Sequence, residues 1–79
     1  MKISVFRVWD IRVDEYVEFD KIMFSPDGSV DLLVEGELWE DSDEQGGNVF
    51  IVERYTGVND SENNPVFVPF ANANLQKMK

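Results

Sequence analysis

The chain has 79 residues, 16 acidic against seven basic side chains (net charge −9), and neither cysteine nor histidine. That length supplies one hydrophobic core and so a single domain, residues 1–79. The composition excludes a disulfide framework, thiolate or imidazole metal ligands, and direct nucleic-acid binding, which rests on Lys and Arg neutralising phosphates.

Residues 1–24 read as extended chain. Apolar residues occupy odd positions (Ile3, Val5, Trp9, Ile11, Val13, Val17, Phe19) and polar ones the even positions (Ser4, Asp10, Arg12, Asp14, Glu18, Asp20). A period of two predicts strand with the odd face buried. Strands usually run about 5–6 residues, so a break is expected near Asp10–Glu15, giving strands over Ile3–Trp9 and Tyr16–Phe24. Phe6 and Val8 fall on the other face and predict that the first strand is covered on both sides.

Ser25-Pro-Asp-Gly28 is turn chemistry: proline presets φ at the first central position and glycine accepts a positive φ near the end. The flanking apolar runs, Ile22–Phe24 and Val30–Val34, make it a hairpin. Glu35, Glu37 and Trp39 continue the second run on one face, with Leu38 on the other. Asp41–Asn48 contains no apolar residue and carries Gly46-Gly47, which predicts a loop or hairpin tip. Val49–Tyr55 is β-branched and aromatic, hence strand. Thr56–Pro65 is polar and turn-rich. Val66–Phe70 is a last extended segment, and Pro69, lacking an N–H, places it at a sheet edge. Ala71–Lys79 is expected to form at most one helical turn or to fray. The fold class is therefore all-β, a small antiparallel barrel or strongly bent sheet of about five strands.

Charge divides the chain unevenly. Between Ile22 and Glu53 there are nine acids and no base; the other seven acids are matched by all seven bases. The densest part is Glu35–Glu44, in which six of ten residues are carboxylates. Glu35, Glu37, Glu40, Asp41, Asp43 and Glu44 are the candidate partner-binding residues, and a basic protein surface is their complement.

Catalytic chemistry finds no support. Without histidine or cysteine there is no ordinary general base or thiolate nucleophile. Among 16 acids some pair always lies at a glycosidase-like spacing, which makes such pairs uninformative. No catalytic residue and no cofactor are expected. Asp41-Ser-Asp-Glu-Gln-Gly46 begins like an EF-hand loop, with oxygen ligands at loop positions 1, 3 and 5 and glycine at 6. The bidentate glutamate due at position 12 is Val52, however, and no helix flanks the loop. A solvated acidic loop is the expected reading, with no metal. Charge interrupts the apolar run of Met1-Lys-Ile-Ser-Val-Phe-Arg7 at once, and no run reaches the ~18–20 apolar residues that cross a bilayer, so neither a signal peptide nor a membrane span is expected; a cytoplasmic protein of a host cell, without membrane contact, is the expectation.

Two stretches, Phe6-Arg-Val-Trp-Asp10 and Arg54-Tyr-Thr-Gly-Val-Asn-Asp60, together resemble the hallmark stretches of the YopX family, small proteins of bacteriophages and prophages. Tyr16–Leu33 also follows that family's layout of two strands about a turn. The resemblance spans roughly Ile3–Phe67 and corresponds to the front part of a usual member; Asn63–Phe70 stands where members continue into a further β domain. It implies a β-rich fold and a phage or prophage origin, and no particular activity. Trp9 is expected to be a core or interface aromatic, Tyr55 to bury its ring and hydrogen-bond to backbone, and Gly57 to supply a positive φ.

Phages encode small acidic proteins that occupy the nucleic-acid grooves of host proteins. The expected function is accordingly a non-enzymatic inhibitor or modulator of a host or defence protein with a basic surface, such as an anti-CRISPR, in one form a DNA mimic. The alternative is an assembly module that oligomerises, for instance as a homodimer, through a β edge and apolar contacts along Val66–Phe70.

Overall fold

The computed structural model describes residues 5–75 and residue 77. Seven strands run in order: β1 (Phe6–Asp10), β2 (Glu15–Val17), β3 (Lys21–Phe24), β4 (Val30–Val34), β5 (Glu37–Trp39), β6 (Phe50–Asn59) and β7 (Pro65–Ala71). They form two antiparallel sheets, one ordered β2-β1-β6-β7 and the other β3-β4-β5. The all-β class is as expected from the sequence. The strand count is higher than five because short turns divide two of the expected strands.

Tyr16–Phe24 is the first of these. Val17 still pairs with Val8 in the four-stranded sheet, while Lys21 pairs with Leu33 in the other. Residues 18–20 carry the chain between the sheets, so this stretch is two strands. The second division falls at Glu35-Gly36. Both residues have positive φ (51° and 84°), and Val34 pairs with Glu37. Two left-handed residues in a row make the two-residue hairpin turn whose twist suits antiparallel strands. Glu37 and Trp39 therefore do not continue the strand; they run back beside it as β5.

The expected break at Asp10–Glu15 is present. Asp10 pairs with Glu15, and the Asp14 N–H donates to the Asp10 carbonyl at 2.9 Å across the intervening residues. The expected phase of β1 is reversed. Val8 is fully buried and Asp10 is 2% exposed, so the even face points into the core, while Arg7 and Trp9 lie on the outer face. Asp10 tolerates burial because Arg12 binds it in a fork, Nε to Oδ1 at 3.0 Å and Nη2 to Oδ2 at 2.9 Å, with the Arg12 N–H adding a third bond at 2.9 Å. Trp9 is covered from outside by Tyr16, whose ring meets it edge-on at 4.8 Å, and by the Lys77 ammonium 5.1 Å away. The first strand is thus covered on both faces, as Phe6 and Val8 suggested, with the two faces exchanged.

β6 runs on to Asn59, well past the expected end at Tyr55, and only residues 60–64 remain for the turn. A register shift between Tyr55 and Asn59 accommodates Gly57 at φ +86°. The Tyr55 hydroxyl donates to the Asn59 side chain at 2.7 Å, not to backbone. β7 is an edge strand, as Pro69 predicted. After β7 the Leu75 N–H donates to the Asn72 carbonyl in a turn, and no helix forms among the described residues.

The core lies between the two sheets: Val8, Val30, Leu32, Val49, Phe50 and Val52 are all essentially inaccessible. At one end of that interface Phe6, Phe24 and Phe70 meet ring to ring, with centroids 5.0–5.5 Å apart.

Candidate partner-binding surface

The acidic stretch divides by what its carboxylates touch. Glu35 sits at the tip of the β4–β5 turn, Glu37 opens β5, Glu40 follows β5, and Glu44 lies in the next loop; all four are exposed. Their side chains make no hydrogen bond or ion pair with another described residue. The Glu35 backbone N–H is held by Asp20 Oδ2 at 2.8 Å, which fixes the turn and leaves the Glu35 carboxylate outside.

Asp41 departs from the expectation. It is 4% exposed and its carboxylate points inward. Oδ1 accepts from the N–H groups of Val49 (2.8 Å) and Phe50 (3.0 Å). Oδ2 accepts from the Val30 N–H and from the side-chain amides of Asn48 and Asn72, each at 2.9 Å. One carboxylate thus gathers the starts of β4 and β6 and the end of β7, from both sheets. Burial of a charge is tolerable when its lone pairs are filled, and these are. Asp41 is a structural fastener and is withdrawn from the partner-binding set.

Asp43 is exposed but half engaged. Its Oδ1 accepts from the Gln45 and Gly47 N–H groups, both at 2.8 Å. Those two bonds, Gly47 first, hold its carboxyl below the usual carboxylate range. Backbone bonds close the loop, Asp43 N–H to Gly47 carbonyl and Gly46 N–H to Asp43 carbonyl, with Gly46 at φ +82°. Asp60–Asn64 repeats this device bond for bond: Asp60 Oδ1 accepts from Glu62 and Asn64, the backbone bonds link the same relative positions, and Asn63 takes the left-handed place at φ 64°. Ser25–Ser29 has the same backbone closure, with Gly28 at φ +92°. In all three a left-handed residue follows a turn; Ser25–Ser29 and Asp60–Asn64 close hairpins, whereas Asp43–Gly47 lies in the connection from β5 to β6, which belong to different sheets. The EF-hand-like spacing has this explanation: Asp41 turns to the core and Asp43 to its own loop. Among the described residues no three carboxylates converge on a metal position.

Folding adds two acids to the surface. Asp27, on the β3–β4 turn, and Asp31, on the outer side of β4, line one cleft together with Glu40 and Ser42. Asp31 Oδ1 also accepts the Asp41 N–H at 3.1 Å. Asp31 was legible as an outward position in the alternation Val30-Asp-Leu32; its approach to Glu40 was not, because that follows from β5 folding back. No base opposes this surface from the sequence in between, and Arg12, which lines a cleft with Glu40 and Ser42 at its margin, is already engaged by Asp10. That pairing raises the Arg12 pKa above its ordinary value.

The outer face of the four-stranded sheet is different in kind. Glu53 Oε1 accepts from Arg7 Nε and from the Tyr16 hydroxyl, both at 2.8 Å, and Tyr16 in turn accepts from Lys77 Nζ at 2.8 Å. Burial would raise the Glu53 pKa, but the Tyr16 and Arg7 hydrogen bonds outweigh it and the carboxyl is held low. The Arg7 guanidinium also lies 4.1 Å from the Phe67 ring and 4.6 Å from the Tyr16 ring. Among the described residues the charges of this face, Arg7, Glu53 and Lys77, are therefore paired with one another.

Comparison of the chain with protein-family models, with curated proteins and with solved structures gives no match. Among the described residues no helix is long and apolar enough to cross a membrane.

Proposed function

We propose that this is a non-enzymatic, phage- or prophage-encoded acidic protein that binds a basic surface of a host or defence protein in the cytoplasm and inhibits or modulates it. An anti-CRISPR, in the form of a DNA mimic, is one such inhibitor. The observation that carries the reading is the segregation of charge: Glu35, Glu37, Glu40 and Glu44 are exposed and unpaired among the described residues, on a segment with no base between Lys21 and Arg54. Asp43, Asp27 and Asp31 widen the same surface. Such a field attracts basic partners over distance and orients their approach. The phage origin rests on the resemblance of Phe6–Asp10 and Arg54–Asp60 to the YopX family. The test is capture of partners from host lysate at low salt by wild-type protein and by a variant with Glu37, Glu40 and Glu44 changed to Gln. The reading expects a basic protein retained by the first and lost by the second. Equal retention by a folded variant removes the acidic surface as the binding site.

One observation favours a second reading, assembly through apolar contacts. Phe24 and Phe70 are 47% and 50% exposed although they form a cluster with Phe6, and β7 beside them has a free edge. Light scattering distinguishes the two: a dimer that dissociates on F24S/F70S and is indifferent to salt supports assembly, and a strict monomer excludes it.

A further inference from the structure

We propose that the free edge of β5 is a strand-addition site for an extended segment of the partner protein, carrying apolar residues flanked by Lys or Arg. The inference rests on the acidic-surface reading and specifies how that surface engages its partner.

β5 is the outer strand of its sheet. Its pairing with β4 begins at the two-residue turn, with Val34 opposite Glu37, then Leu33 opposite Leu38, then Leu32 opposite Trp39. In such a hairpin the pair closing the turn is the hydrogen-bonded one, and bonded and non-bonded pairs alternate from there. Leu38 is therefore in a non-bonded pair, and its N–H and C=O both point away from β4. None of the turn and loop hydrogen bonds among the described residues uses them. An antiparallel segment laid beside β5 would form both bonds with one residue.

The side chains around this edge fit an occupant of defined chemistry. Beside β5 lies a cleft whose lining combines apolar Val13, Leu38 and Trp39 with polar side chains, among them Arg12, Glu40 and Ser42. Val13 and Leu38, which both line this cleft, are 59% and 56% exposed and offer it apolar surface. In an added strand the residue opposite Leu38 shares its face and is apolar. Residues that reach Glu37 and Glu40, at the two ends of β5, are cationic. Arg12 does not oppose this, because Asp10 already holds it in a fork at 2.9–3.0 Å. A second copy of the chain is the wrong occupant: it brings the same acids to the edge and a net charge of −9 that repels its like.

The probe is a pair of blocked peptides, each with two arginines at either end, one with valine and leucine at its centre and the other with serine there. Amide shifts and affinity are followed by NMR titration at low salt for wild type, L38S, V13S and E37Q/E40Q. The proposal expects the apolar-centred peptide to bind about tenfold or more tightly than its serine counterpart. Its shifts fall on Glu37–Glu40 and Val13, and L38S and V13S each remove most of the difference. V13S lies in an exposed loop, so its effect is read even if L38S perturbs β5. Equal binding of both peptides, with unchanged affinity in L38S and V13S, overturns strand addition while leaving the acidic surface as an attractor. Shifts confined to β7 or the Phe24–Phe70 cluster overturn it as well. No binding of either peptide overturns strand addition and the acidic-surface reading together.

Discussion

Asn72 donates its side-chain amide to Asp41 Oδ2 at 2.9 Å and to the Phe50 carbonyl at 2.8 Å, joining the end of β7 to the start of β6 through a buried carboxylate. Asp41 has four further donors, and no neutral side chain of its size can replace it. In D41N one oxygen becomes an NH2 group, and either orientation points it at two or more of the donors that Asp41 now accepts. Both D41N and D41A are expected to lose at least about 3 kcal/mol, since several buried N–H groups are left unpaired. For a domain of this size that is a large part of the total. Urea unfolding checks it through the midpoint. N72A should cost less, and the D41A/N72A double variant should fall short of the sum of the two, because they share one bond.

Glu35 offers a way to separate stability from binding. It is held at φ 51° in a turn that favours Asn-Gly, and here the pair is Glu-Gly. E35N is expected to raise stability by roughly 0.5–1 kcal/mol, because asparagine tolerates the left-handed conformation better. It also removes one exposed carboxylate. Thermal unfolding should therefore move up while affinity for a basic partner moves down. A fall in both would show that the Glu35 side chain supports the fold in some other way.

Glu53 makes stability depend on pH. Its folded pKa lies below the ordinary 4.5 through the Tyr16 and Arg7 hydrogen bonds. A group depressed on folding contributes fully above its unfolded pKa and loses that contribution as pH falls through the folded value. The stability gap between wild type and E53Q is expected to be on the order of 1 kcal/mol near neutrality and to close progressively below pH 4.5. Asp43 shifts in the same direction, so acid should also loosen its loop. Lys77 behaves oppositely. Its pKa is raised despite burial, by Tyr16 and Glu53, so its contribution holds below 10.5 and fades above it. Urea titrations across pH measure both limbs.

Gly57 is the remaining backbone test. At φ +86° within β6, with open space where a Cβ would sit, substitution meets only the conformational penalty. G57A is expected to cost about 1 kcal/mol, read as a fall in melting temperature. No change would place the residue outside the left-handed region in solution.

What the sequence disclosed followed from how local the physics was. Ser25-Pro-Asp-Gly28 announced its hairpin because proline and glycine act on their own φ angles. Pro69 announced the sheet edge because a missing N–H cannot be supplied elsewhere. The phase of β1 was hidden because the odd-numbered alternation through residue 24 belongs to three elements, and only the neighbouring strands decide which face of β1 is inside. Asp10 looked like a surface residue until Arg12 folded onto it. Asp41 was the least legible of all: its five donors come from residues 30, 48, 49, 50 and 72, and nothing within Glu40–Asp43 distinguishes it from its exposed neighbours. The candidate surface was legible as a concentration of charge, while its division into exposed glutamates and structural aspartates required the fold.

The measurement that bears most directly on the acidic surface is the affinity of a captured basic partner across a salt series, for wild type and for the folded E37Q/E40Q/E44Q variant. Exposed charges interact through a screening length of about 10 Å at 0.1 M salt and about 3 Å at 1 M. The wild-type affinity is therefore predicted to weaken steeply with salt, about tenfold or more over that range, and the variant to start weaker and respond less. Identical affinities and identical salt slopes for the two proteins would contradict the assignment of this surface as the binding site.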